Sequence, residues 1–170
     1  MPPKAGDTAT VSPCANEHGS AAIHQKWLIS SGEIAGEIVG EVAGEIVPEA
    51  NRSLCLRPPA SCASVANCYP LTLEACAGRA FAGWVHDATM EVRVRGSARG
   101  DGGDGGGRGI CMDIGAGVGT YTCGSGSGYQ QPNQHFSIDD VAKRIGTLSA
   151  SDGPGSEPTK AGMCLSIVSA

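Results

Sequence analysis

Four residues of this 170-residue chain have the chemistry to hold a neutral, hydroxyl-rich ligand such as a sugar: Asp113, Tyr121, Asn133 and Gln134. Such a ligand calls for a carboxylate that accepts hydroxyl protons, amides that both donate and accept, and an aromatic face against its apolar C–H side. Asp113 offers the first, Asn133 and Gln134 the second, and Tyr121 the third. The competing reading is that Asp113 and Asn133 serve only to satisfy nearby backbone groups in loops.

Other chemistries fit the sequence less well. The histidines, His18, His24, His86 and His135, lack the i, i+4 spacing of a helical metal site. The eight cysteines form no C-x-x-C pair of the zinc or thioredoxin kind. There is no G-x-S-x-G nucleophile elbow. Asp139 and Asp140 are adjacent, whereas a glycosidase needs two carboxylates flanking one cleft. Asp101 and Asp104 stand among glycines, but one short degenerate copy of a calcium nonapeptide reads better as a loop. The chain is therefore read as a non-enzyme with no metal and no cofactor. A formal net charge of −5 argues against nucleic acid as a partner. No apolar run is long enough to span a membrane, so membrane insertion is not expected.

The elements that must position these groups recur along the chain. Cys14 is followed by His24-Gln25-Lys26-Trp27, Cys76 by Phe81-Ala82-Gly83-Trp84, and Cys123 by Asn133-Gln134-His135-Phe136. Two low-complexity segments interrupt the pattern and are read as insertions, at 32–49 and 97–108. The first contains four copies of a tetrapeptide (Gly-Glu-Ile-Ala and variants) between Gly32 and Val47, whose small residues could alternatively mark a helix face. The second is dominated by glycine and reads as a linker-like loop. Without them, Trp27, Trp84 and Phe136 are spaced by about forty residues, a period that marks a repeat architecture. Short alternating stretches at Leu71 to Ala75, Met90 to Arg95 and Arg144 to Ser149 predict strands, with one helical turn over Val141 to Arg144. The expected class is all-β, in a single domain over 1–170.

These residues resemble the ricin-type β-trefoil lectin domain. The third unit carries the resemblance: Cys111-Met112-Asp113-Ile114, then Tyr121-Thr122-Cys123, then Asn133-Gln134-His135-Phe136, then Ile145-Gly146-Thr147-Leu148. The second matches with Cys55-Leu56-Arg57-Pro58, Cys76, Trp84 and the stretch from Met90 to Arg95. The first unit enters at Thr8 to Cys14, already past its opening strand, and that strand stands at the other end as Gly162-Met163-Cys164-Leu165-Ser166-Ile167. The resemblance implies a β-trefoil of three repeats, circularly offset so that the C-terminal strand completes the first. Cys14 would then bond Cys164, Cys55 would bond Cys76, and Cys111 would bond Cys123. Cys62 and Cys68 would close a small loop of their own. The alternative is a slice of a longer tandem array in which Cys164 pairs downstream.

By the same resemblance, Asp113 accepts from vicinal hydroxyls and Tyr121 is the stacking platform. Asn133 bonds a hydroxyl directly, and Gln134 supports Asp113 or the sugar. The implied ligand is a galactose or N-acetylgalactosamine-type glycan. Gly119 stands where the family often has a polar side chain, the stretch from Asp113 to Tyr121 is short for the family, and Tyr129 lies near enough in sequence to replace Tyr121. The second unit reads as silent, with Arg57 for the acid, Glu74 for the aromatic, and Phe81-Ala82 for Asn-Gln. In the first, Gln25 survives, His24 takes the Asn position, and Ser166 and Ser12 replace the acid and the aromatic. Trp27, Trp84 and Phe136 are expected in the core. The functional expectation is a lectin module with one site, with a tethered glycan-active enzyme domain as an expected partner. The alternative is a disulfide-stapled interaction or inhibitor domain that binds no sugar. Even-numbered, dispersed cysteines point to the secretory pathway or the extracellular space, although the stretch from Met1 to Asp7 carries no signal-peptide pattern.

Overall fold

A computed structural model of the chain describes residues 1–15, 20–30, 42–62, 67–77, 83–86, 90–97, 109–115, 117–124, 132–147 and 163–169. In these the protein is all-β. The strands are β1 (Thr8–Pro13), β2 (Trp27–Ser30), β3 (Val42–Pro48), β4 (Leu54–Arg57), β5 (Thr72–Ala75) and β6 (Trp84–His86), followed by β7 (Val92–Val94), β8 (Ile110–Ile114), β9 (Val118–Thr122), β10 (Phe136–Asp139), β11 (Arg144–Thr147) and β12 (Met163–Val168). Short 3-10 turns at Ser20–Gln25 and Pro132–Gln134 precede β2 and β10. The predicted strands around Leu73, Val92 and Ile145 are present. The helical turn expected over Val141 to Arg144 is instead a tight turn into β11, because Asp139 Oδ1 accepts from the backbone N–H groups of Val141 (3.0 Å) and Ala142 (2.8 Å).

The strands pair antiparallel in two six-stranded sheets, ordered β10-β11-β12-β1-β5-β4 and β2-β3-β6-β7-β8-β9. One pairing scheme recurs along the chain. β12 with β1, β4 with β5 and β8 with β9 form one set of antiparallel pairs. β2 with β3, β6 with β7 and β10 with β11 form another. The first set includes the two strands nearest the chain ends, with Val11 opposite Leu165 and Ser12 opposite Cys164.

The four disulfides are those expected. Cys14–Cys164 spans 150 residues, and Cys55–Cys76, Cys62–Cys68 and Cys111–Cys123 span 21, 6 and 12. In β12, β4 and β8 a bridged cysteine sits beside a core residue, respectively Leu165, Leu56 and Met112, all fully buried. Strand alternation explains this: the cysteine faces its bridge while its neighbour faces the core.

That core is where the large aromatics lie. Trp27, Trp84 and Phe136 are buried in one apolar cluster with Ile46, Leu73 and Val92 among others. Trp27 Nε1 donates to the Leu165 carbonyl and Trp84 Nε1 to the Leu56 carbonyl, both at 2.9 Å. Each acceptor follows a bridged cysteine, so the indole N–H, which must find a partner when buried, meets the same backbone position in two units. Phe136 takes the third place without a donor. Replacing Trp84 by Phe leaves the Leu56 carbonyl without that donor and opens a small gap, and is expected to cost about 1–3 kcal/mol in denaturant unfolding.

One expectation is corrected. The segment 32–49 is not wholly an insertion, because its second half is β3, paired with both β2 and β6. Ile46 is fully buried, and Glu45 forms an ion pair with Arg57 at 2.5 Å. A tetrapeptide period is a multiple of two, so residues four apart share a strand face as well as a helix face. Gly44 sits opposite Trp84, and a Cβ on its neighbour Gly83 would stand 3.0 Å from the Gly44 carbonyl oxygen. The small residues thus let β3 and β6 approach. Residues 32–41 lie outside the described residues. Of the second insertion, 97–108, only Ser97 is described. Its hydroxyl donates to the Val94 carbonyl at 2.6 Å and accepts from the Ile110 N–H at 3.0 Å, which holds the ends of β7 and β8 together.

Candidate functional site

The β8–β9 hairpin and the turn at Pro132–Gln134 bring three of the four predicted residues into one hydrogen-bonded group. Asp113 lies opposite Gly119 in the hairpin register and is 3% exposed. Its Oδ2 accepts from Asn133 Nδ2 at 2.8 Å and from Gln134 Nε2 at 2.9 Å. Gln134 is fully buried and held at both ends of its amide, since Nε2 also donates to the Thr122 carbonyl (3.1 Å) and Oε1 accepts from Gly124 N–H (2.8 Å). Gln134 therefore fixes Asp113 from within, while Asn133 is half-buried. Tyr121 stands opposite Cys111 on the same hairpin face as Asp113 and is 43% exposed, a ring available beside a sunken carboxylate. Tyr129 lies outside the described residues.

The sequence reading missed Tyr69. Its hydroxyl donates to Asp113 Oδ1, so the carboxylate is held from both sides. The ring lies against Gly119, where an added Cβ would stand 2.1 Å from Tyr69 Cδ1. Gly115 lies under the hydroxyl in the same way, its Cβ position 3.3 Å from the phenol oxygen. Burial, reinforced by the hydrogen bond to Asp113 and that carboxylate's charge, pushes the Tyr69 phenol well above its usual range. The segment around Tyr69 is tied to β9. Cys68 and Thr120 exchange backbone hydrogen bonds at 3.1 and 2.9 Å, Leu71 N–H donates to the Val118 carbonyl at 2.8 Å, and Cys68 is bridged to Cys62. The available signal was Gly119 itself, a glycine within a strand that marks close approach of another group.

The wiring of Gln134 recurs in the first unit. Gln25 Oε1 accepts from Ala15 N–H at 2.7 Å, just after Cys14, as Gln134 accepts from Gly124 just after Cys123. Gln25 Nε2 donates to the Pro13 carbonyl (2.9 Å) and to Ser166 Oγ (2.8 Å), as Gln134 Nε2 donates to Thr122 and Asp113. Ser166 Oγ and Ser12 Oγ also share a 2.6 Å hydrogen bond, so the hydroxyls here satisfy one another, and among the described residues no carboxylate joins the group. In the second unit the acid position holds the buried Arg57, whose guanidinium reaches Glu45, the Cys76 carbonyl (2.9 Å) and the Ala75 carbonyl (3.4 Å). Glu74 accepts from Ala60 N–H at 3.1 Å. Phe81 and Ala82 lie outside the described residues.

Among the described residues, Glu91, Cys111 and Cys123 come close enough together to hold a metal, but the two sulfurs are joined in a disulfide and have no thiolate to offer. Among the same residues, no helix is long and apolar enough to cross a membrane. No protein-family model, no curated protein and no solved structure matches this chain.

Proposed function

We propose that the chain is a ricin-like β-trefoil, closed into a ring by its C-terminal strand, and that it acts as a carbohydrate-binding lectin module rather than as an enzyme. The fold reading is supported by the recurring strand pairs, the shared indole-to-carbonyl bond in two units and the shared glutamine wiring in two. The observation that carries the function is the buried Asp113 carboxylate, oriented by the Asn133 and Gln134 amides beside the exposed Tyr121 ring. A carboxylate so positioned is an acceptor for hydroxyl protons, and a tyrosine ring takes the apolar face of a sugar. Galactosides are the proposed ligands. Four disulfides support a secreted or extracellular setting, and a tethered glycan-active enzyme is a fitting partner.

With one site, affinity for a monosaccharide is expected near millimolar, about −4 kcal/mol. Titration with galactose and lactose checks this. Because Trp27 and Trp84 are 2% and 1% exposed, the tyrosine signals rather than the tryptophan signals should respond. Tyr121→Ala is expected to weaken binding roughly five-fold through loss of the stacking face. The second reading, an interaction or inhibitor domain without sugar binding, draws on the Tyr69 hydroxyl already seated on Asp113. Absence of any glycan response across a galactoside series would favour it.

A further inference from the structure

We infer that Tyr69 is a specificity-determining residue of the Asp113 site, its hydroxyl occupying the acceptor position that one of a sugar's donor hydroxyls needs. The inference rests on the carbohydrate-binding reading and names what a ligand must do to enter.

A carboxylate offers about four lone-pair positions. Asn133 and Gln134 take two on Oδ2, and the Tyr69 hydroxyl takes one on Oδ1. Among the described residues that leaves one acceptor position on Asp113, too few for a pair of vicinal hydroxyls. The amides on Oδ2 are not the replaceable partners, because Gln134 is fully buried and pinned through Gly124 and Thr122. Tyr69 is different. It is half-buried, and it comes from the segment before β5 rather than from the hairpin or the Pro132–Gln134 turn. A phenol O–H is chemically the same kind of donor as a sugar O–H, and its ring covers Gly119 as a sugar's apolar face would. Binding is then an exchange: one sugar hydroxyl replaces the phenol on Oδ1 and a second takes the remaining lone pair. A ligand able to place only one hydroxyl gains nothing from displacing the phenol.

Two features make this a built arrangement rather than a stray contact. Both hairpin residues beneath the tyrosine are glycines, and at Gly119 any side chain would collide with the ring. The segment is also anchored at Cys68 to both Thr120 and Cys62, immediately before Tyr69. Tyr69 is thus delivered to Asp113 by backbone pairing, while its own side chain holds the carboxylate by a single hydrogen bond.

The test compares the full disulfide-bonded chain with Tyr69→Phe and Gly119→Ser, each titrated with galactose and with lactose. Tyr69→Phe keeps the ring on Gly119 and removes only the hydroxyl. Gly119→Ser drives the ring off the hairpin by its Cβ, and provides a second route should either variant fold poorly. Because a hydrogen bond to a charged group is lost as a competitor, Tyr69→Phe is expected to bind galactose about ten-fold more tightly than the parent chain, with Gly119→Ser moving in the same direction. If the parent binds galactose and Tyr69→Phe binds it equally or more weakly, Tyr69 supports the site rather than competing for it; the inference is overturned and the lectin reading stands. If none of the three chains responds to either sugar, the lectin reading falls and this inference falls with it.

Discussion

Asp113→Ala is expected to abolish galactoside binding and to destabilise the fold by about 3 kcal/mol. The two effects have one origin. The carboxylate is the common acceptor for Asn133, Gln134 and Tyr69, and its removal strands three donors. A buried donor left without a partner costs about 1–3 kcal/mol, and the largest share falls on Gln134, which is fully buried and fixed by its other bonds. Asn133 and Tyr69 are half-buried and can turn toward water, so the three costs do not simply add. Asp113→Asn retains one acceptor oxygen and should lose less stability while still losing binding, because its NH₂ group faces donors. Urea unfolding of both variants, beside a galactose titration, checks the pair of effects. Binding that survives Asp113→Ala would move the site away from this carboxylate altogether.

Loss of the Cys14–Cys164 bridge carries the largest expected stability effect in the molecule. In the chain-entropy account a bridge stabilises by restricting the unfolded chain, and its contribution grows with the loop it closes. This bridge spans 150 residues, so replacing both cysteines with serine is expected to cost about 5 kcal/mol, comparable with the whole stability of a modest domain. The same replacement at Cys62 and Cys68, which span 6 residues, is expected to cost only about 2 kcal/mol. Denaturant unfolding of the two double-serine chains should therefore separate clearly in midpoint. Peptide mapping without reductant should recover Cys14 and Cys164 in one linked pair, and finding them in different pairs would remove the basis for the larger effect.

How much of this could be read from the sequence depended on how local each cause is. Strand alternation around Leu73, Val92 and Ile145 is a property of consecutive residues, and those strands lie where the pattern put them. The cysteine pairs, and the grouping of Asp113 with Asn133 and Gln134, were what the resemblance implied rather than what any local pattern of residues encodes. β3 was hidden because a period of four fits a strand face as readily as a helix face, and repetition of glycine and glutamate read as low complexity. The pairing of β3 with β2 and β6, the packing of Ile46 and the ion pair of Glu45 with Arg57 decide the matter, and all depend on strands brought together by the fold. Tyr69 was hidden for a related reason. It reaches Asp113 through the bridge between Cys68 and Thr120, residues 52 apart whose meeting no local pattern encodes.

The pairing of β1 with β12 has a topological consequence. Because the Cys14–Cys164 bridge ties the paired strands β1 and β12, a single cut of the backbone at any point between the two cysteines leaves two pieces that remain covalently joined. Folded, the two pieces would also keep their places beside each other through the β1–β12 ladder. A protease that nicks the stretch between these two cysteines once therefore makes no free fragment from it. Release requires a second cut or a reductant, and the domain withstands single scission as a closed loop of rope does, where an open strand would part.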